Sequence, residues 1–401
     1  MVKLSNVLIY NEGRMNLPEI QTALRERGQQ AWLFYDHHHR DPIAYHILGL
    51  PDSMMVTRRW FYLVPAQGEP MKLVHRIESH HLDSLPGGKR EYSAWEELWQ
   101  NLEAMLKPYR SIVMQYSPNN QIPYISLVDG GTLELVRSFG KEIVSSANLV
   151  AQFEAVLTDA QIASHFKARD AIDKITAAAF QEIGRRVHNG GTNEHEVQKW
   201  ILEAFGRENL QTVDPPNVSA GPNSGDPHYE PTAEKSAPIK QGDFVLLDIW
   251  GKLNEPDSVY YDITWTGVIG TPSDKQREIF AIVRGARDVG INTVKQAFDA
   301  GQTLHGWEVD KAVREFITGK GYGQYFIHRT GHSIGRDIHA NGANLDNLET
   351  KDDREILPNT CFSVEPGIYL PEFGVRSEVN MITRKGKAEV TGRIQEELVQ
   401  V

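Results

Sequence analysis

Two aspartates lie inside strand-like apolar runs within residues 244–265. Asp248 follows Phe-Val-Leu-Leu, and Asp262 stands in Tyr-Tyr-Asp-Ile-Thr-Trp, so both carboxylates are surrounded by residues that favour β structure. The sequence Asn-Glu-Pro-Asp at 254–257 predicts a turn between two strands. A turn centred near Glu255 would make the two aspartates face each other on one side of an antiparallel pair. Two carboxylates held that close, away from water, require a shared proton or a cation.

A second stretch, residues 363–381, repeats this arrangement. Glu365 and Glu378 lie on apolar segments separated by a turn that contains Pro and Gly, so these carboxylates should also converge across a hairpin. Between the two hairpins, residues 328–339 contain three histidines among glycines. Four carboxylates and a neutral imidazole form an oxygen-rich donor set, which suits a pair of divalent ions such as Mn²⁺ better than a thiolate-rich zinc site does. The sequence therefore predicts a dinuclear metal site.

Five residues in a fixed order carry a resemblance to a known family. Asp248, Asp262, His332, Glu365 and Glu378 occur within L-D-x-W, Y-D-I-T, G-H-S-I-G, V-E-P-G and V-R-S-E. This pattern resembles the dinuclear aminopeptidase P/prolidase family, which also includes methionine aminopeptidase and creatinase. The resemblance implies an α+β chain with a C-terminal pita-bread fold, and it is closest to the Xaa-Pro dipeptidases.

The resemblance implies a role for each of these five residues. Asp262 and Glu378 would bridge the two ions, Asp248 would chelate one of them, and His332 with Glu365 would complete the other. Glu365 would also act as the general base that takes the proton of the attacking water. The two ions expected per chain are Mn²⁺, with Co²⁺ or Zn²⁺ as alternatives.

Three further histidines and an arginine match catalytic or substrate-binding positions of the family. His339 would stabilise the substrate carbonyl or the tetrahedral oxyanion. His228, in Gly-Asp-Pro-His-Tyr-Glu, and His328 would lie near the substrate. Arg376 would orient the carboxylate of Glu378 and bind the nearby end of the substrate. The alternative for each histidine is a hydrogen-bonded structural residue.

Two features depart from the family pattern. Trp265 stands where the family motif D-x-T-R-T has an arginine, which predicts a loss of positive charge beside the metals. The connection between Glu365 and Glu378 is short and leaves no room for an insertion carrying an arginine that binds a carboxylate. Recognition of the C-terminus of a dipeptide would then come from Arg376 or from the N-terminal domain.

A chain of 401 residues exceeds the usual size of one hydrophobic core, so two domains are expected. Residues 1–155 alternate strand-like and helical patterns, which predicts a small α/β domain. The resemblance implies that this is the family's creatinase-like N-terminal domain. Strands are expected at 31–35 and 59–64, and helices at 17–27 and 95–106. Residues 156–401 should form the pita-bread catalytic domain.

The second domain should contain two pairs of helices that alternate with the two carboxylate hairpins. The helical patterns cover 161–187, 192–209, 274–298 and 306–320. Helix pairs of this kind predict an α+β layer in which helices cover one face of a curved sheet.

Charge and cysteine content restrict the partners and the compartment. The formal net charge of −11 argues against nucleic acid or an acidic membrane surface as a main partner. The single cysteine, Cys361, should be a small buried apolar residue rather than a nucleophile. The sequence contains no apolar run of signal-peptide or membrane-spanning type, which favours a cytoplasmic protein. The run Tyr-Asp-His-His-His-Arg at 35–40 should be an exposed loop or a loop that reaches an active site, including that of a partner subunit.

The ligand set predicts a metal-dependent hydrolase, and the family resemblance implies a peptidase that cleaves the bond before proline, an Xaa-Pro dipeptidase working as a homodimer. Its substrate would be a small peptide with proline at the second position. The nearest alternative is an Xaa-Pro aminopeptidase that accepts longer peptides. A creatinase-like hydrolase of small amides and a silent binding module are less favoured, because all five expected metal ligands are present.

Overall fold

The computed structural model describes residues 15–401, and the chain divides into two compact units after Glu154. The sequence placed this division after residue 155. Helices and sheets occur together in both units, which confirms the predicted α+β class. None of the helices in residues 15–401 has the length and apolar character needed to span a membrane.

The N-terminal unit is built on one six-stranded sheet flanked by helices. Its strands are β1 (Ala31–Asp36), β2 (Trp60–Pro65), β3 (Met71–His75), β4 (Gly88–Tyr92), β5 (Ser111–Met114) and β6 (Glu142–Ser145). The helices described in this unit are α1 (Leu17–Glu26), α2 (Pro42–Leu48), α3 (Trp95–Leu106), α4 (Gly130–Ser138) and α5 (Ala147–Glu154). The strand order is β4-β3-β2-β1-β5-β6, with parallel pairing of β1 to β5, β5 to β6 and β3 to β4. The strands and helices predicted for this region are confirmed.

Strand β1 reads Ala-Trp-Leu-Phe-Tyr-Asp and is buried along its whole length. A strand without polar alternation must be covered on both faces. Trp32 and Phe34 pack in one hydrophobic cluster, and Leu33 and Tyr35 pack in another on the opposite face. The loop that begins after Asp36 therefore leaves the sheet from the end of a buried, central strand.

Within the described residues the C-terminal unit contains four long helices and four sheets, one of five strands, one of four strands and two of two strands. Its strands are β7 (Thr192–Asn193), β8 (Leu210–Gln211), β9 (Asn217–Ala220), β10 (Pro238–Ile239), β11 (Phe244–Leu253), β12 (Tyr261–Val268), β13 (Ser333–Ile334), β14 (Cys361–Val364), β15 (Gly367–Tyr369), β16 (Gly374–Arg376), β17 (Val379–Arg384), β18 (Lys387–Val390) and β19 (Val399–Gln400). The helices are α6 (Asp159–His188), α7 (Glu194–Arg207), α8 (Asp274–Asp299) and α9 (Gly306–Gly319). All four predicted helices are confirmed, and their ends differ from the prediction by at most two residues.

The long helices start where side chains cap their first turns. Thr158 and Gln161 form a reciprocal capping box at α6, and Ser273 and Gln276 form another at α8. One sheet has the order β19-β12-β11-β8 with β9 also paired to β11, and another has the order β13-β14-β17-β18. Helices α6 and α7 pack on the first of these sheets.

Alternation along β11 and β12 separates the core from the site. The odd-numbered residues Leu247, Ile249 and Ile263 pack in the hydrophobic cluster formed with α6 and α7. Because side chains alternate between the two faces of a strand, Asp248 and Asp262 both lie on the other face. The sheet thus presents both carboxylates on the side away from these helices.

The register of β11 and β12 corrects one prediction. Asp248 is paired with Thr264, and Asp262 with Trp250, so the two aspartates are diagonal neighbours rather than direct partners. The predicted direct pairing is wrong because the connection between the two strands is centred at Pro256, one residue beyond the predicted centre at Glu255. A shift of the centre by one residue moves each partner by two, which keeps both carboxylates on the same face.

The second hairpin has the predicted arrangement. Val364 pairs with Val379, and Gly367 pairs with Arg376. Glu365 and Glu378 occupy the short interval between these two paired segments, so they stand opposite each other.

Candidate metal centre

Buried carboxylates and one imidazole converge in the C-terminal unit. Asp262, His332 and Glu378 each place one potential ligand atom so that all three atoms lie within 4.8 Å of one another. Nε2 of His332 is 3.4 Å from Oδ2 of Asp262 and 3.4 Å from Oε1 of Glu365. Four of the five predicted ligands therefore meet around the His332 ring.

The fifth predicted ligand, Asp248, joins this cluster through two shared partners. Its carboxylate is paired with the guanidinium of Arg376. The hydroxyl oxygen of Thr264 lies 3.0 Å from Oδ1 of Asp248 and 2.8 Å from Oε2 of Glu378. The structure thus brings together all five residues that the sequence singled out.

The donor set fits a bound cation. Oδ1 of Asp262 and Oε1 of Glu378 are buried and have no hydrogen-bond partner among the described residues. A buried polar atom without a partner is costly, and an anionic one more so. A hard divalent ion coordinated by carboxylate oxygens and an imidazole would satisfy both atoms.

Three of the carboxylates hold protons more tightly than usual. Burial, together with the nearby Asp262 and Glu365, raises the pKa of Asp248 to about 7, although Arg376 opposes this shift. Burial and neighbouring carboxylates also raise the pKa values of Asp262 and Glu378 well above their ordinary range. The carboxylates of this cluster therefore carry more potential negative charge than the one arginine buried among them, Arg376, can offset.

Glu365 behaves differently from the other three acids. Burial acts to raise its pKa, but His332, His328 and Arg376 outweigh burial and hold the pKa of Glu365 below its ordinary value. Oγ of Ser363 also donates a hydrogen bond of 3.0 Å to Oε1 of Glu365. This carboxylate is therefore the one best prepared to stay ionised at neutral pH.

Local contacts orient the His332 ring. Nδ1 of His332 lies 3.2 Å from the carbonyl oxygen of Ser333, which leaves Nε2 for the carboxylates. The His332 backbone N–H donates to Oγ of Ser363 at 2.9 Å. Gly331 permits this close approach, because a Cβ at that position would stand 2.0 Å from the carbonyl oxygen of Ser363. The His339 ring packs edge-on against His332 with 4.4 Å between ring centroids.

The other predicted histidines border the cluster to different degrees. Nε2 of His328 lies 2.7 Å from the hydroxyl of Tyr369, and burial lowers the pKa of His328 to about 4. Partial burial and the neighbouring His332 lower the pKa of His339. The rest of the His339 side chain is exposed. His228 is exposed in a loop, and within residues 15–401 its side chain makes no hydrogen bond. His228 is near enough to His339 to contribute to the lowered pKa of that residue.

Arg376 is fully engaged. Its Nε donates to the hydroxyl of Thr264 at 2.8 Å, its Nη1 donates to the hydroxyl of Tyr369 at 3.1 Å, and its Nη2 pairs with Asp248. The direct carboxylate partner is therefore Asp248, and the predicted link to Glu378 runs through Thr264. Only 5% of the Arg376 side chain is exposed.

Sequence reasoning missed three residues that hold the ligands in place. Thr264 contacts two carboxylates, Ser363 contacts both His332 and Glu365, and Oδ1 of Asn380 accepts a hydrogen bond of 2.9 Å from the Asp262 backbone N–H. Each of the three stands two residues from a ligand on a strand-like segment. Since side chains two apart share a face, this spacing was the signal that could have found them.

Trp265 does not lie beside the cluster. It alternates with Thr264 and packs against the hydrophobic cluster under α6 and α7, with the Arg393 guanidinium 5.0 Å from its ring centroid. The predicted change of charge beside the metals is therefore wrong, because position 265 faces the opposite side of the sheet from Asp262.

Cys361 is buried, as predicted. Its Sγ lies 4.0 Å from Nδ1 of the buried His165, and burial raises the pKa of the thiol. A thiol held protonated inside the core is a poor nucleophile.

Comparison with known proteins agrees with this architecture. Residues 168–385 match metallopeptidase family M24, and the chain belongs to this family. It is 36% identical over 193 residues to an Xaa-Pro dipeptidase of Lactobacillus helveticus, covering 48% of this chain and 46% of that one. It is 32% identical over 252 residues to an Xaa-Pro dipeptidase of Lactobacillus delbrueckii subsp. lactis, covering 62% of each chain. The matched region thus spans about half the length of the first relative and less than two thirds of the second.

Solved structures resemble the chain over nearly its whole length. The crystal structure of dipeptidase PepE from Mycobacterium ulcerans has a TM-score of 0.68 at 24% identity and covers 96% of each chain. The prolidase from Pyrococcus horikoshii OT3 has a TM-score of 0.60 at 22% identity, covering 96% of this chain and 99% of that one. These similarities confirm the predicted pita-bread fold.

Proposed function

We propose that the protein is a dinuclear metal-dependent peptidase that hydrolyses Xaa-Pro bonds, with Xaa-Pro dipeptides as its substrates. The observation that carries this proposal is the pair of orphaned buried oxygens on Asp262 and Glu378, directed into a cluster with His332. Carboxylate oxygens held this close need a shared proton or a cation, and a divalent ion would satisfy both atoms. The names of the relatives support the choice of substrate, since both similar Lactobacillus proteins are Xaa-Pro dipeptidases.

In this proposal the five clustered residues hold two divalent ions. Asp262 and Glu378 would contribute to holding both ions, Asp248 would hold one of them, and His332 with Glu365 would hold the other. We propose Mn²⁺ as the native metal, with Co²⁺ or Zn²⁺ as alternatives, because the donor set is dominated by carboxylate oxygens. A bound divalent ion supplies a Lewis acid that lowers the pKa of water and polarises an amide carbonyl.

Glu365 is the general base. Its pKa lies below the ordinary value, so it is ionised at neutral pH and can accept the proton of the attacking water. The hydrogen bond from Ser363 and the Arg376 guanidinium, whose Nε is 3.9 Å from Oε2, fix its orientation. As the C–N bond breaks, Glu365 passes the proton to the departing proline nitrogen.

In this proposal His339 and His228 contact the substrate, and His328 borders the site. His339 is next to the proposed ligand His332 and can donate a hydrogen bond to the scissile carbonyl oxygen. His328 is held by Tyr369 and the backbone carbonyl of Arg329, which fixes its ring at the edge of the site. His228 is free to approach the substrate from its exposed loop.

Arg376 serves the site chiefly by orienting Asp248. Because its three nitrogens are already engaged, binding a substrate carboxylate would require it to give up one of these contacts. The charge of Arg329 also acts on Glu365, His332 and His339, so it contributes positive potential on the substrate side.

We further propose a cytoplasmic homodimer. The proposal of a dimer follows the family resemblance, and a reducing compartment agrees with the single, buried cysteine. Light scattering on the purified protein should give about twice the chain mass of 45.3 kDa. A mass of one chain would remove the dimer from the proposal.

The decisive test of substrate class compares Ala-Pro, Ala-Pro-Ala and Ala-Ala after chelator treatment and addition of Mn²⁺. Cleavage of Ala-Pro in preference to the other two establishes an Xaa-Pro dipeptidase. Preference for Ala-Pro-Ala would assign the protein to the Xaa-Pro aminopeptidases instead. Cleavage of neither proline peptide would overturn the proposal and favour a creatinase-like hydrolase of small amides.

A further inference from the structure

The N-terminal unit contains a cavity of about 680 Å³ that takes no part in the candidate metal centre. It lies where the loop after β1 meets the first turns of α3 and α4, and residues from all three elements line it. This volume falls in the range of small-molecule sites, roughly 300–1,000 Å³.

The lining is strongly cationic. Three arginines, Arg40, Arg58 and Arg59, face the cavity together with His37 and His75. Across the described part of the chain, none of the three guanidinium groups has a carboxylate oxygen within 4.0 Å, and Arg58 bonds only to Thr57, its neighbour in the chain. The whole chain carries a formal charge of −11, so this concentration of unpaired positive charge is local and opposite in sign. Such a pocket attracts anions.

The one carboxylate in the lining is already satisfied. Asp129 accepts hydrogen bonds from the Tyr35 hydroxyl at 3.0 Å, from the Thr132 backbone N–H at 3.0 Å and from the Thr132 hydroxyl at 2.9 Å. These contacts hold it as the N-cap of α4. The arginines therefore remain available to a ligand from outside the chain.

Two tryptophans form an aromatic wall beside the arginines. Trp95 and Trp99 lie one turn apart on α3 and are 58% and 45% exposed. Their rings meet edge to face with 5.1 Å between centroids. Large exposed aromatic side chains next to arginines suit a flat ring that carries negative charge.

The loop that presents Arg40 is held in place before any ligand arrives. The buried carboxylate of Asp36 accepts hydrogen bonds from the backbone N–H groups of His39 at 3.0 Å, Arg40 at 2.7 Å and Asp41 at 3.1 Å. The Tyr45 hydroxyl also donates to Asp36 at 2.8 Å. A loop fixed in this way loses little conformational entropy when it binds.

We propose that this cavity binds a small organic anion in which a flat ring carries a phosphate or carboxylate group. The anionic group lies among Arg40, Arg58 and Arg59, and the ring stacks on Trp95 or Trp99. This site lies within the N-terminal unit alone and does not depend on the proposed peptidase function.

The test uses the full chain, freed of metal so that no ion competes for the probes. Binding is followed by calorimetry and by tryptophan fluorescence with adenosine 5′-monophosphate and with isophthalate, which offer a ring with phosphate and with carboxylate. Adenosine has the ring without the charge, and inorganic phosphate has the charge without the ring. Each should bind at least tenfold more weakly than the better of the two ring anions. Comparison of the two ring anions tells which acidic group the site takes. Failure of both to bind at millimolar concentration would overturn the proposal.

Matched variants assign the binding to this cavity. Arg59→Gln and Trp99→Ala should each weaken binding of the better ring anion at least tenfold. Arg110→Gln changes an exposed arginine of the same unit outside the lining and should leave binding unchanged. Thermal unfolding of each variant checks that the unit still folds. Wild-type affinity in both cavity variants would place the binding elsewhere and reject the site.

Discussion

At the residue scale, Thr264 joins three charged groups of the candidate metal centre through one hydroxyl. Its oxygen accepts from Nε of Arg376 and lies within hydrogen-bond distance of Asp248 and Glu378. Groups that orient metal ligands typically contribute about 10- to 100-fold to metal affinity. Thr264→Val should therefore weaken Mn²⁺ binding at least tenfold, whereas Thr264→Ser should bind nearly as tightly as the wild type.

Calorimetric titration of the metal-free proteins measures this difference. Equal affinity in the Val and Ser variants would mean that the hydroxyl does not orient the carboxylates.

Glu365 is the residue whose chemistry the proposal uses most directly. Replacing it by Gln removes the proton acceptor while keeping the side-chain size, so kcat for Ala-Pro should fall by about 100-fold or more. Glu372→Gln, an exposed change in the turn of the same hairpin, should leave kcat unchanged. Metal content must be measured in parallel, since Glu365 is also a proposed ligand. Near-normal turnover of a fully loaded Glu365→Gln enzyme would remove Glu365 as the general base.

Individual residues of the site could be predicted where a charged side chain interrupts an apolar, strand-like segment. Carboxylates embedded in apolar strands, such as Asp248 and Asp262, are conspicuous because a charge there is costly. Thr264 and Asn380 were not, since a threonine or an asparagine in a strand is unremarkable without its partners. The same alternation that identified Asp262 would have placed Trp265 on the far face, had it been applied to that position.

At the scale of elements, His165 links a helix to the strand that carries Asp262. From α6, its Nδ1 lies 2.6 Å from the Tyr260 carbonyl oxygen and its Nε2 lies 2.8 Å from the Thr391 hydroxyl. Burial lowers the pKa of His165 from 6.5 to about 4. The unfolded chain therefore takes up a proton at a higher pH than the folded chain does.

This difference sets a pH dependence of stability. In the unfolded state His165 binds a proton as the pH falls below 6.5, whereas in the folded state it does so only near pH 4. The free energy of unfolding therefore falls as the pH falls across this window. The loss should approach roughly 3 kcal/mol at its acid end. His165→Gln should be less stable than the wild type at pH 7, and the gap should narrow towards pH 4. Thermal unfolding midpoints of both proteins against pH test this, and curves that stay parallel would contradict it.

Gly331 sets the distance between β14 and the segment that carries His332. Gly331→Ala would place a Cβ 2.0 Å from the Ser363 carbonyl oxygen and force these segments apart. Thermal stability should fall and Mn²⁺ affinity should drop at least tenfold, because His332 moves with its backbone. Gly319→Ala, at the end of α9 with open space around the added methyl, is the matched control and should change neither. Metal binding at wild-type affinity in Gly331→Ala would show that the ligand position tolerates this displacement.

The existence of the elements was easier to predict than their register. Periodicity and caps gave the long helices to within two residues, because these are local properties of the chain. The pairing of β11 with β12 depends on where the connection is centred. The turn residues at 254–257 are compatible with a centre at Glu255 or at Pro256, and that one-residue difference changes every partner in the pairing.

At the scale of the whole molecule, the division into two units and the position of the metal centre in the second unit follow from the order of motifs. The cavity of the N-terminal unit does not, because its arginines come from the loop after β1 and the residues before β2, and its tryptophans come from α3. Only the folded sheet brings these segments together. A cluster dispersed in this way has no signature in a single sequence.

Asp248, Asp262, His332, Glu365 and Glu378 are together proposed to form a two-metal hydrolytic site. The most direct measurement titrates chelator-treated protein with Mn²⁺ while following hydrolysis of Ala-Pro. We expect no turnover without metal and a rise to full activity as the Mn²⁺ content approaches two ions per chain, with Asp262→Asn inactive at every ratio. Undiminished hydrolysis in the chelated protein, or wild-type activity in Asp262→Asn, would contradict this proposal.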